Sequence, residues 1–417
     1  MEVFTKEEEV LYENFLGSTD QRLSKLKDAE DSPFKRYYLS EIKLHKTFIQ
    51  LKFGEELSAA WNFRQAFNMM EENQEEYPEF DLNAKTLGLM HIIVGSAPDK
   101  YRWLLNLFGF RGTMDQGIEE LRNFSEVNDI FSLESSVILA FVYSYLLQEH
   151  SAGFAMLEKY EDQLNNQFLL AYAVSSLYIK ASQSEQALTI INEFRRNNSN
   201  ISIPFFDYQI GNILQQKGDY QLSTASYLKF MSQFQGRNYV KDSYYKIGLN
   251  YRLMGNEEKA LENFKQAKKT GQKVTEADKY ASHMLQQPLS DRNITKLRLA
   301  TDGGYFDDAL SIVKKIRIEG LGNYKDTVEF TYRQARLYHK LDDTAKAIPL
   351  YIDTIDKSGK KRWYFAPNSA LQLGYIYRSQ GAIEDARKYF EKALSYKNHP
   401  YKNSIDNKAE AALTGLN

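Results

Sequence analysis

The side chains that most often carry chemistry are few and scattered in this sequence. The histidines are His45, His91, His150, His283, His339 and His399. Two imidazoles share a metal on one helix face when they stand four residues apart, as in H-E-x-x-H, and no pair here has that spacing. There is no cysteine, which excludes disulfides, thiolate metal sites and cysteine nucleophiles. The glycine-rich phosphate loops G-x-x-x-x-G-K and G-x-G-x-x-G and the nucleophile turn G-x-S-x-G do not occur. S-x-x-K matches such as Ser32–Lys35 and Ser40–Lys43 lack the S-D-N triplet that accompanies them in serine acyltransferases. Glu71-Glu72 and Glu75-Glu76 resemble paired catalytic carboxylates only out of context; they end a polar helix before Tyr77-Pro78 and read as a solvated face. Met69-Met70 reads as core. The expectation is no hydrolase, transferase or metal-dependent activity, and no cofactor.

A chain of 417 residues is too long for one ordinary core, so it must divide or grow in one dimension. With 43% hydrophobic and 26% charged residues it has a globular balance, and 8 prolines among 417 residues leave long helices uninterrupted. The net charge of −2 is no footprint for nucleic acid, which calls for a strongly basic face. Charge is uneven: residues 1–80 hold 17 acidic and 10 basic side chains, and the remainder holds 38 and 43. The first ten residues are acidic and lack an apolar signal core. No apolar run approaches the roughly 20 residues of a membrane span. These features read as cytoplasmic, or as exported or envelope-bound if a leader preceded Met1.

Self-similarity is the strongest signal. In 241–271, Gly248 is followed by Tyr251, Gly255, Ala260, Phe264 and Ala267. In 367–400, Gly374 is followed at the same offsets by Tyr377, Gly381, Ala386, Phe390 and Ala393. Small residues stand where two antiparallel helices cross, aromatic rings fill the space beside them, and the second glycine ends the first helix with a positive φ. This resembles the tetratricopeptide pattern. Weaker copies sit on Ser175, Gly211, Leu297 and Ala335, so the spacings between successive key positions are 36, 37, 49, 38 and 39. The 49 implies an insertion within 270–291, and a degenerate unit is expected near Ala140–Tyr160. The reading is an all-α, tetratricopeptide-like solenoid of helical hairpins in a right-handed superhelix, with an N-terminal helical region over 1–130 and repeats over 131–417. Before the repeats, Tyr37–Phe53 and Leu57–Met70 form an amphipathic hairpin turned at Phe53-Gly54.

The stretch 86–124 has its own grammar. Ser96 and Pro98 open an apolar helix over Asp99–Phe108, Gly109 closes it, and Thr113 with Gln116 begins the next helix as a capping box. Gly88 and Gly95 lie on the preceding apolar helix and allow close approach of a neighbour. Ser96, Pro98, Leu104, Leu105, Gly109, Phe110, Gly112, Asp115, Gly117 and Ile118 are similar to the corner of the animal tetratricopeptide family numbered thirty-nine and of its fungal mitochondrial outer-membrane relative. Thr113-Met114 departs from the charged pair usual there, and this chain is shorter. The resemblance implies a non-enzymatic scaffold or adaptor with no defined ligand.

Binding residues are sought on the first helix of each repeat, which lines the concave face of such solenoids. Tyrosine stands three residues before the key position in four units, as Tyr172, Tyr208, Tyr245 and Tyr332. Arginine stands four residues after it at Arg252 and Arg378, and one after it at Arg298 and Arg336. Stacked units can turn these into a tyrosine ladder edged by guanidinium groups that takes acidic or aromatic peptide groups. The alternative is that the tyrosines wedge adjacent helices and the arginines pair locally. The expected function is a scaffold for a protein or peptide partner. A helical-toroid enzyme or a peripheral membrane protein, using the apolar helix at Tyr101–Phe110 to dock, stands behind it.

Overall fold

The computed structural model describes residues 6–97, 105, 109–126, 131–199 and 202–416. Helix accounts for 78% of the described residues, and no strand occurs among them. The N-terminal helices are α1 (Glu9–Lys27), α2 (Pro33–Phe53), α3 (Glu56–Glu76), α4 (Leu82–Gly95) and α5 (Met114–Glu126). Ser32 caps α2 by accepting from the Lys35 N–H at 3.2 Å, and Gly54, at φ 85°, ends it where the sequence predicts the turn. Helices α4 and α5 touch through glycine: a Cβ on Gly88 would stand 2.8 Å from Leu121 Cγ, and one on Gly117 would stand 2.4 Å from the Gly88 carbonyl oxygen. Thr113 caps α5 by accepting from the Gln116 N–H at 3.2 Å. The apolar helix expected over Asp99–Phe108 lies outside the described residues, apart from the helical Leu105. Next come α6 (Ser132–Phe141), prolonged by one π-helical segment over Val142–Leu147, and α7 (His150–Ala155).

The regular hairpins follow. They are α8 (Phe168–Lys180) with α9 (Ser184–Asn197), α10 (Pro204–Lys217) with α11 (Tyr220–Gln233), and α12 (Val240–Leu253) with α13 (Glu257–Lys269). A single helix α14 (Glu276–Met284) fills the insertion expected from the 49-residue spacing. Then come α15 (Arg292–Gly303) with α16 (Phe306–Lys315), α17 (Tyr324–Lys340) with α18 (Thr344–Ser358), α19 (Phe365–Ser379) with α20 (Ile383–Ser395), and the terminal α21 (Lys402–Thr414). The repeat frame is physical. A Cβ on Gly211, Gly248 or Gly374 would stand 2.7, 2.7 or 2.5 Å from the ring of Tyr227, Phe264 or Phe390 respectively. Twelve residues after each key position stands a fully buried small residue: Ala187, Ser223, Ala260, Ala309, Ala347 and Ala386. Seven residues after it the backbone is left-handed in all six units, through Gly218, Gly255, Gly304 and Gly381 and also through Ser182 (φ 64°) and Asp342 (φ 59°).

The solenoid closes on itself. Helix α15 packs across the interior on α10 and α8, and Tyr305 donates its hydroxyl to Glu185 at 2.9 Å. At the ends, α21 packs on the π-helical segment, Asn407 Nδ2 donates to the Ser96 carbonyl at 2.9 Å, and Arg378 pairs with Glu149 at 3.2 Å.

Candidate functional site: an aromatic and guanidinium cavity

Closure brings α12, α14, α15 and α17 around one inner cavity of about 190 Å³. Helix α12 supplies Tyr245 and Arg252, α15 supplies Arg298, and α17 supplies Glu329 and Arg333. The inserted α14 brings Tyr280 edge-on to Tyr245, with ring centres 6.1 Å apart. The segments leading into α19 and α21 add Trp363, Tyr364 and Tyr401. Tyr401 has a left-handed backbone (φ 65°), a conformation that costs a side-chain-bearing residue about 1–2 kcal/mol. It stacks its ring on Tyr280 at 6.1 Å and sets it edge-on to Tyr364 at 5.1 Å.

The polar groups are unequally matched. Glu329 accepts from Arg333 at 2.8 and 3.1 Å and from the Ser290 hydroxyl at 2.7 Å. Burial raises the pKa of this carboxyl, but Arg333 and Ser290 outweigh that and hold it below the usual range. Arg333 also donates to the Tyr364 hydroxyl at 2.6 Å, and Arg298 donates to the Tyr280 hydroxyl. Arg252 gives one nitrogen to the Ser290 carbonyl at 2.9 Å, while its Nη1 is buried with no hydrogen-bond partner among the described residues. Burial lowers the Arg252 pKa, as expected of a cation without a carboxylate contact. Such an arrangement accepts a planar acidic group flanked by apolar contact, because a guanidinium binds carboxylate through paired N–H donors and the rings supply area.

The open tyrosine ladder expected from the sequence is corrected by the packing. Tyr208, Tyr245 and Tyr332 are only 7%, 2% and 3% exposed. Three residues before the crossing point, a side chain faces the first helix of the next unit and is covered by it. Tyr208 donates to Asp242 at 2.6 Å under the Lys246 ammonium, Tyr332 lies between Tyr364 and Phe365, and half-buried Tyr172 faces Phe205 and Phe206. Tyr245 reaches the cavity. Of the arginines, Arg252 and Arg298 meet there. Arg336 donates to Gln372 at 2.6 Å. Arg378 serves the closing ion pair with Glu149 instead.

The repeat pattern gives no sign of Tyr280, Arg333, Tyr364 and Tyr401. Tyr280 belongs to the insertion and Tyr364 and Tyr401 to connecting segments, so no repeat offset reaches them. The run Arg362-Trp363-Tyr364-Phe365 is the one signal in the sequence that could have pointed here. Among the described residues no group of three or more His, Cys, Asp or Glu is placed to hold a metal, and no helix is long and apolar enough to cross a membrane.

No curated protein matches the sequence closely enough to count as a relative. Among solved structures, human IFIT1, determined as a dimer with PPP-AAAA, is 13% identical; the match covers 92% of this chain and 77% of that one, with a TM-score of 0.39. Yeast Tom70 is 12% identical over 99% of this chain and 96% of that one, with a TM-score of 0.27. The tetratricopeptide repeat model matches 241–270 and 367–400, the two segments built on Gly248 and Gly374. The chain is therefore a helical-repeat protein with tetratricopeptide units at those two places.

Proposed function

We propose that the protein is a non-enzymatic scaffold that binds a peptide or protein partner on its inner face, anchoring an acidic or aromatic group of that partner in the cavity of Tyr245, Arg252 and Arg298. The supporting observation is Arg252 Nη1, a buried charged donor among aromatic walls with no hydrogen-bond partner among the described residues. Buried donors are ordinarily satisfied, and one left open in a concave, ring-lined site is suited to an acceptor from outside. Tyr208 and Tyr332 hold the wall in place rather than touching the partner. The resemblance of the corner from Ser96 to Ile118 to the family numbered thirty-nine agrees with an adaptor role.

The test is selection from a random displayed-peptide library, followed by affinity measurement on single variants. Peptides carrying acidic and aromatic residues are expected to be enriched. Arg252→Ala should weaken their binding by about 2 kcal/mol, the size of a hot-spot contact, without loss of the fold. If the enriched peptides bind Arg252→Ala and Trp363→Ala as tightly as the wild type, the cavity is not the binding site.

A further inference from the structure

The wall of the Arg252 cavity carries far more positive charge than its own acid balances. Five cations line this space of about 190 Å³: Arg252, Arg298, Lys325, Arg333 and Arg362. Glu329 is the single carboxylate among the described residues that line it, and it pairs with Arg333 at 2.8 Å. Arg252, Arg298, Lys325 and Arg362 have no ion pair among the described residues. The carboxylates whose field reaches Arg252 from outside the wall, Glu257 and Asp291, are engaged elsewhere. Glu257 pairs with Arg292, and Asp291 caps α15 by accepting from the Asn293 and Ile294 N–H groups at 2.7 and 3.2 Å.

The cations come from α12, α15, α17 and the segment before α19, so only the closed solenoid gathers them. Repulsion and desolvation both oppose such a gathering, and an anion from outside relieves both. Arg362 is exposed and Lys325 part-buried, whereas Arg252 Nη1 is buried. Charge therefore runs from the rim inward and leads an anion to the open donor. The space lies below the ~300 Å³ at which pockets for drug-sized ligands begin, so it admits one side chain and not a helix. Its wall is also flat and apolar in part: Tyr280 and Tyr401 stack at 6.1 Å, and Trp363 lies on the same lining.

We infer that the group this cavity takes is an aryl phosphate, the side chain of a phosphorylated tyrosine on the peptide partner. The inference rests on the cavity being the partner's anchoring site, as proposed above. A phosphate monoester carries a charge of about −1.5 to −2 near pH 7 and three acceptor oxygens. It can therefore accept from Arg252 Nη1 and from a second cation at once, while its ring lies against the aromatic wall. A carboxylate brings one charge and leaves most of the excess unanswered. A phosphate on an aliphatic side chain leaves the rings without a partner. Arginine clusters are a general means of reading phosphorylated side chains.

The experiment measures binding of the full chain to pools of short degenerate peptides that differ only at the central residue: phosphotyrosine, phosphoserine, glutamate or phenylalanine. The phosphotyrosine pool should bind about tenfold tighter than each of the others, the effect of one added charge-assisted contact. Phenyl phosphate should compete with that pool, and inorganic phosphate and benzoate should compete about tenfold less well, since each supplies part of the group. Arg252→Gln should weaken the phosphotyrosine pool by about tenfold, and Arg362→Gln, at the exposed rim, by about threefold, with both variants melting as the wild type does. If Arg252→Gln does not fold, Arg362→Gln and the phenyl phosphate competition still decide. Glutamate, phenylalanine or phosphoserine pools that bind as tightly, and through Arg252, would overturn the aryl phosphate and leave the cavity as a peptide anchor. No binding by any pool, or phosphotyrosine binding that neither arginine variant weakens, would overturn both readings. A 5′-phosphorylated oligonucleotide that displaces the phosphotyrosine pool better than phenyl phosphate does would overturn the assignment to a peptide.

Discussion

The interior of a hairpin and the inner face of the solenoid obey different rules. Inside the hairpin of α19 and α20, Ala386, Phe390 and Ala393 are fully buried against Gly374, and apolar contact accounts for each of these side chains. On the inner face, Arg252 keeps a donor with no partner among the described residues, and the part-buried Lys180, Lys340 and Lys408 have no ion pair among them. The first region is built for stability within one unit. The second holds charge that a stable fold has no use for, assembled from units far apart in the chain.

The largest effect that can break this contrast is in the hairpin. Phe390→Ala empties the space beside Gly374 and is expected to cost about 3–5 kcal/mol in denaturant-induced unfolding; a cost below about 1 kcal/mol would mean the hairpin core is not where stability resides. A pair of glycines sharpens the contrast next. At Gly255 (φ 88°) an added Cβ would meet nothing within 4 Å, so Gly255→Ala should cost only the left-handed penalty of about 1–2 kcal/mol. At Gly304 (φ 85°) the same atom would stand 2.0 Å from the Ser182 carbonyl oxygen, so Gly304→Ala adds overpacking of about 1–3 kcal/mol. Equal melting temperatures for the two variants would show that contact across the closed interior contributes nothing.

The smallest effect is on the inner face. A lysine whose folded pKa is lowered binds fewer protons folded than unfolded, so stability rises as pH climbs through the folded value toward the ordinary one. With Lys408 near 7 and Lys340 near 8, against an ordinary 10.5, the melting temperature should rise between pH 7 and about 9. Lys408→Gln should flatten that rise, which a thermal melt at each pH will read; a wild-type profile that falls over this range would show that burial does not lower these two lysines.

The same division decided what the sequence made legible. Gly248, Ala260 and Phe264 meet within one hairpin, at offsets set by helix geometry, and can be read from a single copy of the repeat. The left-handed turns at Ser182 and Asp342 escape notice because serine and aspartate do not advertise a positive φ as glycine does. Tyr280, Tyr364 and Tyr401 escape because they meet only after the superhelix has closed, and that closure depends on small rotations summed over many units. The ladder of Tyr208, Tyr245 and Tyr332 stands at the register expected of it, but register alone does not tell that the next unit covers it.

The clasp between α21 and the N-terminal half changes how the molecule comes apart. Open arrays of repeats hold together through nearest neighbours, so their end units fray independently. Here Asn407 is tied to Ser96 and Arg378 to Glu149, contacts that span most of the chain. Losing the terminal helix therefore unlatches the far side of the ring as well. Amide protons in α21 should then exchange with solvent through the same cooperative opening as those of the N-terminal helices, and the two ends should melt together rather than one after the other.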